Sequence, residues 1–298
     1  MLEYKKDGWK AAISLAPAMI LLAVFTFWPI LNAFRMAFMN DYSMSSGKWD
    51  GIGIRNFIYI FKDPTFWTAL KNTCIMVFIS VPITIILGLF IAVGLNSIKK
   101  LQSTFQTIFF LPYVTNTIAL GLVFGAMFHQ YDGFINQLFN KNISWIGAGA
   151  SYTNAMIVLM IYTVWNGLAF KIIVFLSGLQ SIDKQYYQAA QIDATPRGRV
   201  FRRITVPLLS PMILYITITS LIGAFKAYSS VISIFGTGKY GPGSDPKLLI
   251  TIVGYVYEKL WASGVPLGEA AAGSLILFAI ILAITLVQLQ VGKKRVHY

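Results

Sequence analysis

Few side chains in this sequence are placed to do chemistry. The most unusual are two lysines, Lys171 and Lys226, which stand inside long apolar runs that hold no carboxylate. A charge at membrane depth ordinarily faces a polar cavity or a partner. Lys171 lies about eight residues, roughly 12 Å of helix, from the end of its run that the charge pattern below assigns to the cytoplasm. Its stem is expected to carry the ammonium to that surface. Lys226 lies about nine residues from the outer end of its run; snorkelling outward, bonding to helix carbonyls, pairing with another subunit and contact with a solute all stay open. The same middle runs carry Tyr113, Asn116, Trp165, Asn166, Tyr228 and Ser229. Aromatic faces, hydrogen-bonding groups and a cation together suit a path for a sugar, including an acidic one such as a uronate, a sialic acid or a sugar phosphate.

No catalytic centre accompanies them. The two histidines, His129 and His297, are far apart in sequence, and no acid, base or metal-ligating cluster gathers inside an apolar run, as an intramembrane hydrolase or metalloenzyme requires. Gly236, Thr237, Gly238 and Lys239 imitate a phosphate loop, yet the first glycine of that motif is missing and Tyr240 replaces its Ser or Thr. The single cysteine, Cys74, forms no intrachain disulfide. The chain is therefore expected to be no enzyme and to hold no metal or cofactor of its own.

The elements that must position these residues follow from composition. Of 298 residues, 56% are hydrophobic and 12% charged, where a soluble domain is about a quarter charged. Soluble and disordered classes are both excluded. A span needs about 20 apolar residues, and six runs qualify: residues 11–34, 69–95, 105–128, 155–179, 208–235 and 270–289. Lys5, Lys6, Lys10, Lys99, Lys100, Lys184, Arg197, Arg199, Arg202, Arg203, Lys293, Lys294 and Arg295 then crowd short segments on one side, against a sparser set on the longer connections opposite. Both termini are thus expected in the cytoplasm. This topology accounts for the formal charge of +13 without a nucleic-acid partner. The apolar run 248–257 is too short to cross and is expected as a surface or re-entrant helix. The expected fold is an all-α integral membrane protein, a single domain over residues 1–298 with six transmembrane helices.

The long inner connection, residues 180–207, is the most informative stretch. Helix formers at Tyr186, Tyr187, Gln188, Ala189, Ala190, Gln191 and Ile192 lead into a turn at 193–196 and then a basic amphipathic continuation, so two short helices meeting at a bend are expected. Their apolar faces are too small to bury a core and need a partner surface.

Here the chain resembles the inner-membrane permease subunits of binding-protein-dependent ATP-binding-cassette importers. Their signature reads Glu-Ala-Ala, then Gly-Ala after an Asp, then a Phe, an Ile and a Pro; the matching residues are Gln188, Ala189, Ala190, Asp193, Ala194, Phe201, Ile204 and Pro207. Gln188 replaces the usual Glu, which exchanges an ion pair for a weaker hydrogen bond, and Ala194 replaces the usual Gly, so the bend is held by a residue with a side chain. Gly53, Asn56, Phe57, Asp63, Pro64, Phe66, Trp67, Asn72, Thr73, Leu111, Pro112, Tyr113, Leu179, Gln180, Ser181, Ile182, Thr237, Gly241, Pro242 and Tyr257 fit the sugar branch typified by maltose and glycerol-3-phosphate permeases.

The resemblance implies a multi-pass protein of a prokaryotic cell membrane. Its partners would be a second permease subunit, two cytoplasmic ATPase subunits that hold ATP and Mg, and an extracytoplasmic solute-binding protein. The helix that includes Tyr187 would be the element the ATPases pull, with Gln188, Ala189, Ala190, Asp193, Ala194, Phe201 and Pro207 as coupling residues. The rival reading is a secondary carrier working without an ATPase. Such carriers show internal repeats and intramembrane ionisable groups for coupling ions, and neither a clear repeat nor an intramembrane carboxylate is found.

Overall fold

The computed structural model describes residues 8–43, 47–98, 102–236, 238–242, 245, 247–262, 264 and 266–295, without the side chains of Lys294 and Arg295. Thr237, His297, Lys5, Lys6, Lys99 and Lys100, which entered the sequence reading, lie outside them. Among the described residues all regular structure is helical, apart from an isolated bridge between Met39 and Ile52. Residues 1–64 with 256–278 form one compact unit, and residues 65–255 with 279–298 form another.

In the first unit, α1 (Gly8–Ala37) runs for 30 residues, and none of its apolar central window is buried. A helix apolar all round with no covered face suits lipid or another chain. The turn Ala23–Phe27 widens so that Trp28 N–H reaches Ala23 O, which admits the Pro29 ring without the usual clash. Helix α2 (Arg55–Lys62) is tied to the end of α1 by Asn56, whose Nδ2 donates to Ala37 O and Met39 O, each at 2.9 Å.

The second unit starts along α3 (Pro64–Ser97), whose buried stripe Ala69, Thr73, Met76, Val77, Ser80, Thr84, Gly88, Ala92 and Leu95 recurs at helical spacing. The third expected span, 105–128, is not one helix. It divides into α4 (Gln102–Val114) and α5 (Thr117–Met127), bent by 97°. Pro112 weakens the end of α4, and Asn116 Oδ1 accepts from Ile118 N at 2.8 Å and Ala119 N at 3.3 Å, starting a new helix. The short α6 (Phe134–Leu138) lies in a loop organised by Asn136, which donates to Gln130 O and Ile143 O and accepts from Trp145 Nε1. Helix α7 (Tyr152–Ser181) is continuous over 30 residues.

The connection expected to hold two helices at a bend does so, as α8 (Lys184–Ile192) and α9 (Arg197–Leu208). The fifth expected span, 208–235, is also corrected. Helix α10 (Ser210–Phe225) leaves α9 at 65° and stops at Phe225, and α11 (Ser229–Phe235) begins beyond a break at Lys226, Ala227 and Tyr228. Residues 248–251 are irregular and buried, held by Asn72 Nδ2 donating to Leu248 O and Ile250 O, and by Thr73 Oγ1 accepting from Ile252 N at 3.0 Å. They lead into α12 (Ile252–Trp261), too short to cross a membrane. Helix α13 (Leu267–Arg295) is the last element among the described residues. Among the described residues four helices are long and apolar enough to span by themselves, and up to six spans result if the bent pairs α4 with α5 and α9 with α10 each count as one.

Glycines set the closest approaches in the second unit. A Cβ on Gly121 of α5 would lie 2.2 Å from Ser233 Cβ on α11, so these half-helices pack nearly backbone to backbone. The apolar core joins Ala92 and Leu95 of α3, Ile172, Phe175, Leu176 and Leu179 of α7, and Leu209 and Ile216.

Candidate functional site

The breaks between α4 and α5 and between α10 and α11 fall on one polar cavity of about 500 Å³, within the ordinary range for a small-molecule site. Ser80 and Thr84 of α3, Tyr113 of α4, Thr117 at the start of α5, and Tyr162, Thr163, Asn166, Phe170 and Lys171 of α7 line it. Thr219 and Ser220 of α10, the break residues Lys226 and Tyr228, and Ser229 and Ser230 of α11 complete the wall.

Several of the hydroxyls are oriented by their own helices. Thr163 Oγ1 donates to Leu159 O at 2.7 Å, Thr219 Oγ1 to Tyr215 O at 2.9 Å, and Ser80 Oγ to Met76 O at 2.6 Å. Their lone pairs are left as acceptors. Tyr162 OH donates to Thr117 O at 3.0 Å and fixes α7 against the first turn of α5. Tyr113 and Phe170 stack with centroids 6.0 Å apart and planes 24° apart, an aromatic face of the kind that meets the apolar side of a sugar ring.

Of the pathway residues expected from sequence, Tyr113, Asn166, Lys226, Tyr228 and Ser229 line the cavity. Asn116 and Trp165 do not: Asn116 is spent on capping α5, and the Trp165 ring packs 5.3 Å from Phe124. The expected snorkelling of Lys171 is overturned. Its side chain turns back along α7, Nζ donates to Gly167 O at 3.1 Å, and the residue is 8% exposed. The Cα–Cβ bonds of a helix tilt toward its N-terminus, so this lysine is aimed away from the end it was expected to reach. Ser80, Thr84 and Thr163 were missed because a single hydroxyl residue in an apolar run reads as ordinary helix packing. Gly88 and Gly167, small residues facing the lysine, were the available clue.

A second hollow belongs to the elbow of α8 and α9. Tyr187, Ala190, Ala194, Val200, Phe201 and Thr205 surround it with Val93. Asp183 Oδ1 caps α8 by accepting from Gln185 N at 2.9 Å, and the turn closes with Thr195 N donating to Ala190 O at 2.9 Å. Ala194 holds the bend at φ +47°, left-handed as a glycine would be. Before Pro207 the chain repeats the widened turn of α1, with Val206 N–H reaching Phe201 O. Tyr187 OH pairs with Thr205 Oγ1 at 3.2 Å, and Phe201 stacks on Phe90. Among the expected coupling residues, Ala190 is buried, while Gln188, Ala189, Asp193 and Ala194 are exposed. Ile192, not among them, is 85% exposed. Among the described residues no donor reaches the Asp193 carboxylate, so the turn is a backbone construction.

The comparisons with known proteins agree with one another. Residues 84–295 match the family described as the binding-protein-dependent transport system inner membrane component. The lactose transport system permease protein LacF of Rhizobium radiobacter is 31% identical, covering 98% of this chain and 96% of that protein. The arabinooligosaccharides transport system permease protein AraP of Bacillus subtilis (strain 168) is 30% identical over 97% of this chain and 93% of its own. Among solved structures, a chain of a bacterial ABC transporter involved in the import of the acidic polysaccharide alginate superposes with a TM-score of 0.82 over 97% of this chain and 96% of that one, at 21% identity.

Proposed function

Because the chain belongs to the family of binding-protein-dependent transport system inner membrane components, we propose that it supplies half of the translocation pathway of an ATP-driven carbohydrate importer. The observation that carries this reading is the polar, aromatic-faced cavity enclosed by otherwise apolar helices. Tyr113, Asn166, Lys226, Tyr228 and Ser229 form the pathway wall, with Lys171 added to them.

The elbow of α8 and α9 is the coupling element. Gln188, Ala189 and Ile192 present its free face to a cytoplasmic ATPase, while Tyr187, Ala190, Ala194, Phe201 and Pro207 hold the elbow together. Closure of two ATPases around ATP and Mg would swing the elbow, and the swing would rock α10 as a rigid body. The working assembly then contains a second permease subunit and an extracytoplasmic solute-binding protein, with six spans in this chain and both termini in the cytoplasm. The chain itself carries no catalytic step.

Reconstitution of the whole assembly in liposomes tests the reading. Carbohydrate uptake should need ATP on the elbow side and binding protein on the other. Uptake by this chain alone, driven by an ion gradient, would replace the importer with a secondary carrier.

A further inference from the structure

We infer that the cavity takes a carbohydrate carrying a negatively charged group, and that Lys171 is the residue that meets that charge, with Lys226 as a second cation. The inference rests on the reading of this cavity as the solute path and narrows its substrate class. Lys171 is nearly buried, yet Nζ makes one protein hydrogen bond, to Gly167 O at 3.1 Å, and an ammonium has three donors. The remaining two face a cavity whose described lining residues include no Asp or Glu.

The fold makes room for this arrangement. A Cβ on Gly167 would come within 3.2 Å of Nζ and 3.4 Å of Thr84 Cγ2, and a Cβ on Gly88 within 3.1 Å of Lys171 Cβ. The lysine is therefore seated in a fitted hollow between α3 and α7 instead of reaching for a surface. Neighbouring hydroxyl lone pairs can accept from the ammonium but cannot neutralise it, and a desolvated charge without a countercharge is costly. Lys226, on the break between α10 and α11, adds a second positive charge to the same wall. A neutral sugar would leave the buried Lys171 charge uncompensated. A carboxylate, sulfonate or phosphate on the sugar compensates it through charge-assisted hydrogen bonds, with Lys226 on the same wall.

The test uses the complete transporter in liposomes and a panel of probes. Galacturonate dimers and trimers are set beside their galactose counterparts, and a hexose phosphate and a hexose sulfonate beside the free hexose. At least one acidic probe should be taken up in preference to its neutral counterpart, and which one identifies the anionic group. Lys171→Met should lower that uptake about tenfold or more, Lys171→Arg should retain more of it, and Lys226→Met should have a smaller effect. Preference for neutral probes would overturn the inference and leave the carbohydrate importer standing, whereas ATP-dependent uptake of none would remove the carbohydrate reading itself. Unchanged acidic uptake in Lys171→Met, or loss of subunit assembly in both Lys171→Met and Lys171→Gln, would assign the lysine to packing and overturn its role.

Discussion

At the scale of single residues, the informative side chains are those held against a local preference. Ala194 occupies a left-handed conformation at φ +47°, which costs a residue with a Cβ about 1–2 kcal/mol. Ala194→Gly removes that strain but enlarges the freedom of the unfolded chain, which offsets about 0.4–1 kcal/mol. The variant should be stabilised locally by up to ~1 kcal/mol, seen as slower hydrogen exchange in residues 190–200; faster exchange there would contradict the strain argument. Lys259 is the opposite case, a cation satisfied by two carboxylates, Glu269 Oε2 at 2.8 Å and Asp63 Oδ2 at 3.4 Å. Burial works against its charge, but the hydrogen bond and charge of Glu269, then those of Asp63, outweigh it and raise the lysine above its ordinary value. A raised folded value means that the contribution is complete below the unfolded lysine value, near 10.4, and is lost as pH climbs through the folded one. Lys259→Met should therefore lower thermal stability by about 1–2 kcal/mol. The deficit should stay level from about pH 6 to 9 and shrink only above about pH 10.5, as followed by unfolding scans in detergent. A deficit that grew on the alkaline side would reject the pairing.

At the scale of elements, the elbow separates residues that hold it from residues that can touch something else. Ala190 is 6% exposed and lines the inner hollow, so Ala190→Arg should overpack the elbow and cost about 1–3 kcal/mol in addition to transport. Ala189 points outward; Ala189→Arg should leave stability within about 0.5 kcal/mol yet abolish ATP-driven uptake. Normal uptake in Ala189→Arg would remove that face from the contact. Much of this element was legible in sequence: the two short helices and the turn between them followed from composition and turn chemistry, and the bend held by a non-glycine residue followed from the resemblance to the permease signature. The helix breaks were missed. The first was marked by Pro112 and the polar triplet Thr115, Asn116 and Thr117, which a count of apolar residues passes over, whereas Lys226, Ala227 and Tyr228 include neither proline nor glycine to mark the second stop. Lys171 was misread for a different reason: distance to a helix end was weighed, and the direction of the side chain along the helix was not.

At the scale of the whole molecule, a count of apolar runs recovered the helical class, but it could not show that the third expected span is bent by 97° or that the fifth is interrupted between Phe225 and Ser229. The bends bring polar residues from separate runs to one cavity, and for that reason five of the seven expected pathway residues meet there. Orientation is open to direct measurement. In a Cys74→Ser background, a membrane-impermeant maleimide should label Lys141→Cys in intact cells and Ile192→Cys only after permeabilisation; the reverse pattern would invert the topology and detach the elbow from any cytoplasmic ATPase.

The absence of acidic groups among the described residues around Lys171 and Lys226 has a consequence for the electrical integrity of the cell. A passage wide enough for a sugar is wide enough for hydronium or hydrated sodium, and an inside-negative potential pulls each such ion inward with about 2.3 kcal/mol per 100 mV. Fixed positive charge along the passage raises the barrier to those ions, while an uncharged or anionic solute crosses without meeting it. If the cavity is the solute path proposed above, the lysines would seal the ion gradients of the host as well as line the way for the solute. Reversing one of them, with Lys171→Glu, should show itself as a sodium or proton leak through the idle transporter, measurable in liposomes with no solute present at all.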